Sequence, residues 1–250
     1  MTVVLHQLRY EQLLFWRTRE AAFFVFAFPI LLLLLLGSVY DGEIEGHPAA
    51  SWLLVGMLGY GALNTAFTGL TITLVLRREY ALLKRIRATP LPAWVYLACL
   101  LGSNLVVFAI QAVAIELLGV TLFDAEVPER LFSVAIGLLA GAASFAGLGL
   151  AAAALIRSAE GVSPVVNLIA LPMAFLSGSF GSTDRYPDFL ETIADVLPLK
   201  HLIDVLAAVM LDGEAFWSQW RSLAVVLVWG AAGFVVALRL FRWAPRQGVT

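Results

Sequence analysis

Charge is scarce in this chain of 250 residues: 14% of them are Asp, Glu, Lys or Arg, and only Lys84 and Lys200 are lysines. A soluble fold of this length carries about 25% charged and about 45–50% apolar residues. Here 61% are hydrophobic, an excess that no soluble interior of this size can absorb. A soluble enzyme and a nucleic-acid-binding module are therefore excluded, and an integral membrane protein is expected. Cysteine is nearly absent too. The single Cys99 cannot form an intrachain disulfide, which leaves it a packing role. Three dispersed histidines, His6, His47 and His201, give no metal-ligand cluster. No G-x-x-x-x-G-K-[ST] phrase occurs, so the chain lacks a phosphate cradle of its own.

What is present is long apolar runs. A helix needs about 20 residues to cross roughly 30 Å of hydrocarbon. Six stretches read as spans, at 21–40, 52–76, 94–119, 131–156, 164–181 and 219–240, the fifth being short and interrupted by Pro172. None alternates apolar and polar as a membrane strand does, so the expected fold is all-α. The chain is expected to form one transmembrane domain over residues 1–250.

The few charges are unevenly shared. Segments on the side of the termini hold 12 of the 16 basic residues and four acids; the other side holds four basic residues and 13 acids. By the positive-inside rule both termini are cytoplasmic. Glu11 and Glu20 interrupt the basic start and no small-residue cleavage site follows, so the first run reads as an uncleaved anchor. Before it, Leu5, Leu8, Leu13, Phe15 and Trp16 mix with Arg9, Glu11, Arg17 and Arg19. That pattern suggests an interfacial helix on the inner leaflet; a plain cytoplasmic tail is the alternative.

Three places depart from a plain bundle. Residues 77–92 read RREYALLKRIRATPLP, with Leu82, Leu83 and Ile86 on a helical spacing and Lys84, Arg85 and Arg87 elsewhere. Thr89–Pro90–Leu91–Pro92 stops that helix. It is either a rigid lever for another protein or a basic loop that enforces topology. Residues 186–213 are too apolar for an exposed loop and too short to cross, so they read as a re-entrant helix pair broken at Leu197–Pro198. Asp195, Lys200, His201 and Asp204 surround the break, and Lys200 can pair with Asp204 at i, i+4. Finally, Asn64, Thr68 and Thr71 share one face of the second span, and Asn104, Phe108 and Gln111 one face of the third. Glu116 lies near the third span's outer end. These groups serve as interhelical glue or line a pathway. Gly137-x-x-x-Gly141 permits close packing of the fourth span.

In this order the departures resemble the permease subunits of ABC type-2 exporters, particularly the bacterial drug-exporter branch typified by daunorubicin-resistance permeases. The resemblance runs along essentially the whole chain. It is carried by RREYALLKRIRATPLPAW (77–94), by IRSAEGVSPVVNLIALPMAFLSGSF with the following PDFLETIADVLPLKHLIDVL, and by LLFWRTREAAFFVFAFPILLLL near the start. Ala81 departs from it, standing where many members have glycine, and Ser182–Asp184 stand where a proline often follows the fifth span.

The resemblance implies two six-span units, the second a copy or a relative, with separate cytoplasmic ATPase subunits that bind ATP and Mg. This chain would bind no cofactor and would not itself be an enzyme. Glu79, Tyr80, Lys84, Arg85 and Arg87 would form the coupling helix seated in the ATPase. Asn64, Thr68 and Phe175 would line the substrate path, and Pro198, Lys200, His201 and Asp204 would belong to an exit gate. The expected place is the bacterial plasma (inner) membrane, and the expected cargo is an amphipathic drug or lipid-like compound, with a lipid-linked polysaccharide as the alternative. Two readings from other classes are an intramembrane serine protease using Ser177 or Ser179 with His201, and a passive channel.

Overall fold

The computed structural model describes residues 2–40, 42–125, 127–183 and 186–244. Asp41, Glu126, Asp184, Arg185 and Arg246, which enter the charge distribution above, lie outside the described residues. Among the described residues the secondary structure is helical apart from a small antiparallel hairpin, β1 (Glu43–Ile44) and β2 (His47–Pro48). Helix α1 (Thr2–Arg17) turns at Thr18 into α2 (Arg19–Val39). After the hairpin come α3 (Ala49–Ala62), a π-helical segment (Leu63–Gly69) and α4 (Leu70–Glu79), which together form one 31-residue rod, Ala49–Glu79. The short α5 (Leu82–Arg87) leads to α6 (Ala93–Phe123), α7 (Leu131–Leu155) and α8 (Ala159–Leu176). Two shorter helices, α9 (Asp188–Ala194) and α10 (Pro198–Met210), precede α11 (Trp220–Leu240).

Six of these helices are long and apolar enough to cross a membrane: α2, the α3–α4 rod, α6, α7, α8 and α11. The rod is the most buried of the six: α2, α6, α7 and α8 pack against it, while α11 packs against α7 and α10. At 1.5 Å per residue it is about 46 Å long, more than the hydrocarbon layer requires, so its charged last turn can stand beyond the apolar zone.

Small residues set how closely the helices approach. A Cβ on Gly147 of α7 would meet the carbonyl oxygen of Gly230 at 2.4 Å, and one on Gly149 would meet that of Ala66 at 2.8 Å. Helix α7 is thus held backbone-to-backbone between α11 and the rod, and Ser144 Oγ donates to the Val226 carbonyl at 2.6 Å. The Gly137/Gly141 stripe does its packing against α10: a Cβ on Gly141 would meet Leu202 at 2.5 Å.

The fifth span differs from its expected bounds. It starts at Ala159, where Ser158 Oγ caps the helix by accepting from the Gly161 amide at 3.1 Å. It ends at Leu176 rather than reaching Gly181, because the chain turns through Ser177–Phe180 with Gly178 at φ +77°. Both Pro164 and Pro172 lie within the helix.

Candidate functional site

The end of the bundle that carries α1 and α5 is organised by two adjacent arginines in the last turn of α4. Cations there complement the negative end of the helix dipole, but these two do more. Arg77 forms a bidentate pair with Glu11 of α1, Nη1 to Oε1 at 3.0 Å and Nη2 to Oε2 at 2.7 Å, and also donates to the Tyr96 hydroxyl on α6 at 2.6 Å. Glu11 is only 3% exposed. Arg78, 1% exposed, points the other way. Its Nη1 and Nη2 donate to the Ala153 and Ile156 carbonyls at 2.7 and 2.6 Å. Those are among the last carbonyls of α7, which have no amide within the helix to accept from. The end of one rod therefore grips α1 and α6 with one residue and α7 with the next.

Helix α5 hangs from this junction. Ala81 takes a left-handed conformation at φ +57°, folding the chain back so that its amide donates to the Arg78 carbonyl at 2.9 Å. Leu83 is fully buried, whereas Tyr80 (67% exposed), Leu82, Lys84, Arg85 and Arg87 face outward. The helix stops at Arg87, and Thr89 Oγ1 donates to the Ile86 carbonyl at 2.6 Å. Of the five residues expected to couple, four are exposed. The fifth, Glu79, is half-buried and accepts from Arg78 Nε at 2.8 Å. An open groove of about 490 Å³ lies between α1 and the segment that follows α5, lined by Val3, His6 and Gln7 of α1 and by Leu91.

The residues expected on the substrate path are distributed differently from a single stripe. Asn64 and Thr68 fall in the π-helical segment, whose i→i+5 bonding disturbs the 3.6-residue period assumed for i, i+4, i+7. Asn64 Nδ2 is directed at the Phe24 carbonyl of α2 at 3.4 Å, while Thr71 Oγ1 donates to the Phe67 and Gly149 carbonyls and so faces α7. The buried Thr68 hydroxyl finds no partner among the described residues. Phe175, 58% exposed, stacks edge-on against Phe180 at 4.9 Å, and Phe180 lies 5.4 Å from Tyr60 on α3.

In α6, Gln111 acts as glue. Pro29 removes the amide that the Val25 carbonyl would accept from in α2. Gln111 Nε2 supplies the missing donor at 2.8 Å, and its Oε1 accepts from Thr65 at 2.9 Å.

At the opposite end, Pro198 opens α10 and is buried. Lys200 pairs with Asp195 across the helix break rather than with Asp204, a correction to the expected i, i+4 pair. The break places Asp195 closer than a residue one turn along the same helix. Asp204 instead lies 4.0 Å from His201 Nδ1. Burial raises the Asp204 carboxyl above its ordinary value, although Lys200 and His201 pull it down. Burial opposes the charged form of Lys200, but the hydrogen bond to Asp195 and the charges of Asp195, Asp204 and Glu191 together outweigh it, and the ammonium is raised. His201 Nε2 is 2.8 Å from the Asp195 carbonyl and Nδ1 is 3.3 Å from Ser222 Oγ. Both ring nitrogens thus have partners other than Ser177 and Ser179, which argues against the protease reading.

The model of the ABC-2 type transporter family matches residues 3–211. The chain belongs to that family. It is a multi-pass membrane protein of the transport-component kind, distinct from the ATPase. Among its relatives is the inner membrane transport permease YhhJ of Escherichia coli (strain K12), 25% identical over 175 residues, which are 68% of this chain and 46% of YhhJ. Nodulation protein J of Sinorhizobium fredii is 30% identical over 175 residues, 68% of this chain and 65% of that protein. The probable multidrug ABC transporter permease YbhR of Escherichia coli (strain K12) is 22% identical over 172 residues, 69% of this chain and 47% of YbhR. The chain thus spans about half the length of YhhJ and of YbhR.

Sequence reasoning missed Glu11, Tyr96 and the pairing of Pro29 with Gln111. An acid on the amphipathic first helix, with no other acid on that helix, was a visible signal for Glu11, and a proline inside a span was one for a donor on a neighbouring helix.

Proposed function

We propose that this chain is the permease subunit of an ATP-driven exporter in the bacterial inner membrane, with both termini in the cytoplasm. One observation carries this reading. Lys84, Arg85 and Arg87 face outward on a short helix, as does Tyr80 on the turn before it, and the root of that helix is tied to three other elements by Arg77 and Arg78. A short helix anchored so firmly transmits displacement without absorbing it, and its basic face suits an acidic cleft in a partner. That partner is a pair of cytoplasmic ABC ATPase subunits, which hold ATP and Mg. Two permeases, this chain with a copy or a relative, enclose the path. The 12-to-four bias of basic residues toward the segments on the side of the termini supports the orientation, and the amphipathic α1 then lies at the inner leaflet.

Asn64, Thr68 and Phe175 are the proposed path residues. The unpartnered Thr68 hydroxyl and the exposed Phe175 ring support them. Helices α9 and α10 form a re-entrant pair in the outer leaflet, with Pro198, Lys200, His201 and Asp204 at its break acting as an exit gate. Support comes from α10, which is mostly buried within the bundle although it is too short to cross. The cargo is an amphipathic drug or lipid-like compound, in keeping with the apolar spans and with the printed name of YbhR.

The test is co-purification. Expressed with its cognate ATPase, the permease should be isolated in detergent as a stable complex, and reconstituted complex should show transport only with ATP. Transport or ion conduction by the permease alone would refute the reading in favour of a channel.

A further inference from the structure

Glu11 has no role in the coupling helix as described, yet it is a carboxylate withdrawn from water in a helix whose other face is exposed. Val3, Leu5, Tyr10, Leu13 and Trp16 of the same helix are all open. An isolated charge at such a depth is costly unless it is paired with good geometry, and here the geometry is directional. Each carboxylate oxygen is held by one Arg77 terminal nitrogen, and Nη1 donates in addition to the Tyr96 hydroxyl. A second tie lies one residue along. Gln12 Nε2 donates to the carbonyl and the hydroxyl oxygen of Ser103 on α6, at 2.9 and 3.0 Å. Helix α1 is thus joined to the end of α4 by an ion pair and to α6 by side-chain bonds on consecutive residues.

We infer that Glu11, Arg77 and Tyr96 form a positioning strut that makes α1 one rigid body with the ends of α4 and α6. A push on α5 is then delivered to α1 and α6 through Arg77 as well as to α7 through Arg78. This rests on the proposed coupling role of α5 and adds residues to it. Helix α1 is a fixed second foot of the lever, not a paddle that swings independently. A bidentate pair sets angle as well as distance, which a merely greasy contact between α1 and the rod would not do.

The test separates position from stability. Replacing a buried ion pair by apolar residues of similar volume generally preserves folding, whereas removing one partner does not. The double variant Glu11→Leu/Arg77→Met should therefore still assemble with the ATPase, yet its stimulation of ATP hydrolysis should fall about tenfold. Unchanged stimulation would overturn the inference. A second measurement needs no ATPase. In the permease alone, with Cys99→Ser, spin labels at Tyr10→Cys on α1 and Ala98→Cys on α6 should give one narrow distance distribution. The double variant should broaden it. A broad distribution in the otherwise native chain overturns the strut, whatever the ATPase assay shows and even if the double variant fails to assemble. Failure of the coupling reading looks different: the distribution stays narrow while the otherwise native permease stimulates no ATPase.

Discussion

The two ends of this molecule hold their charges in opposite ways. At the α1–α5 end, Glu11 and Arg78 are buried and Arg77 is largely covered, and bonds from the two arginines tie α4 to α1, α6 and α7. At the α9–α10 end, Asp195, Lys200, His201 and Asp204 are partly open; Lys200 and His201 meet Asp195 across a helix break, and Asp204 lies beside His201 within α10. Buried, geometrically matched pairs resist displacement because losing one partner strands the other in a desolvated site. Open pairs cost little to separate. The first end is suited to carrying force and the second to opening.

That contrast makes a ranked set of expectations. Arg77→Met alone should be the most damaging change, because it leaves Glu11 buried and unpaired at a cost of about 3–5 kcal/mol. Measured as the yield of monodisperse protein, it should fall far below native. Lys200→Met at the other end should lower stability by less than about 1 kcal/mol, with little change in melting temperature. Equal damage at the two ends would erase the distinction.

Next comes Gly147→Val. Its side chain would strike the Gly230 carbonyl where backbones already touch, and overpacking of this kind costs about 1–3 kcal/mol. Thermal unfolding in detergent should show a clear loss. The change lies between the ends, so it should lower stability without altering the coupling of the molecules that remain folded.

A subtler test concerns Gln111. Removing it by Gln111→Leu leaves the Val25 carbonyl without a donor and should cost about 1 kcal/mol, the scale of interhelical hydrogen bonds in membranes. Pro29→Ala restores the helix's own amide to that carbonyl, so Gln111→Leu should cost less in that background. Equal costs in the two backgrounds, read as a double-mutant cycle, would show that Gln111 does not compensate the proline.

The smallest effect is expected at Ala81. Its left-handed backbone is strained for any residue with a Cβ, and Ala81→Gly should relieve up to about 1 kcal/mol. A slight rise in melting temperature would accord with that; a fall would mean that alanine's stiffness at this turn matters more than its strain.

These residues also show what was legible beforehand. The six long apolar helices were, because hydrocarbon thickness imposes a length that composition alone reveals. Helix α5 and its proline stop were legible from local spacing and turn chemistry. The partners of the arginines were not: Glu11 and Arg77 are 66 residues apart, and periodicity carries no information at that range. The face shared by Asn64, Thr68 and Thr71 was misjudged because the π-helical segment breaks the period on which that face was drawn. The partner of Lys200 was misjudged because a broken helix brings Asp195 closer than i, i+4 geometry within one helix supplies Asp204. In each case the error lies where regular helix geometry is interrupted.

The central claim is that α5 is the surface through which an ATPase drives this permease. The most direct measurement is ATP hydrolysis by the cognate ATPase reconstituted with Lys84→Glu/Arg85→Glu/Arg87→Glu. All three side chains are exposed, so the variant should fold and insert normally. It should neither co-purify with the ATPase nor stimulate it. Stimulation equal to that of the native chain would contradict the account.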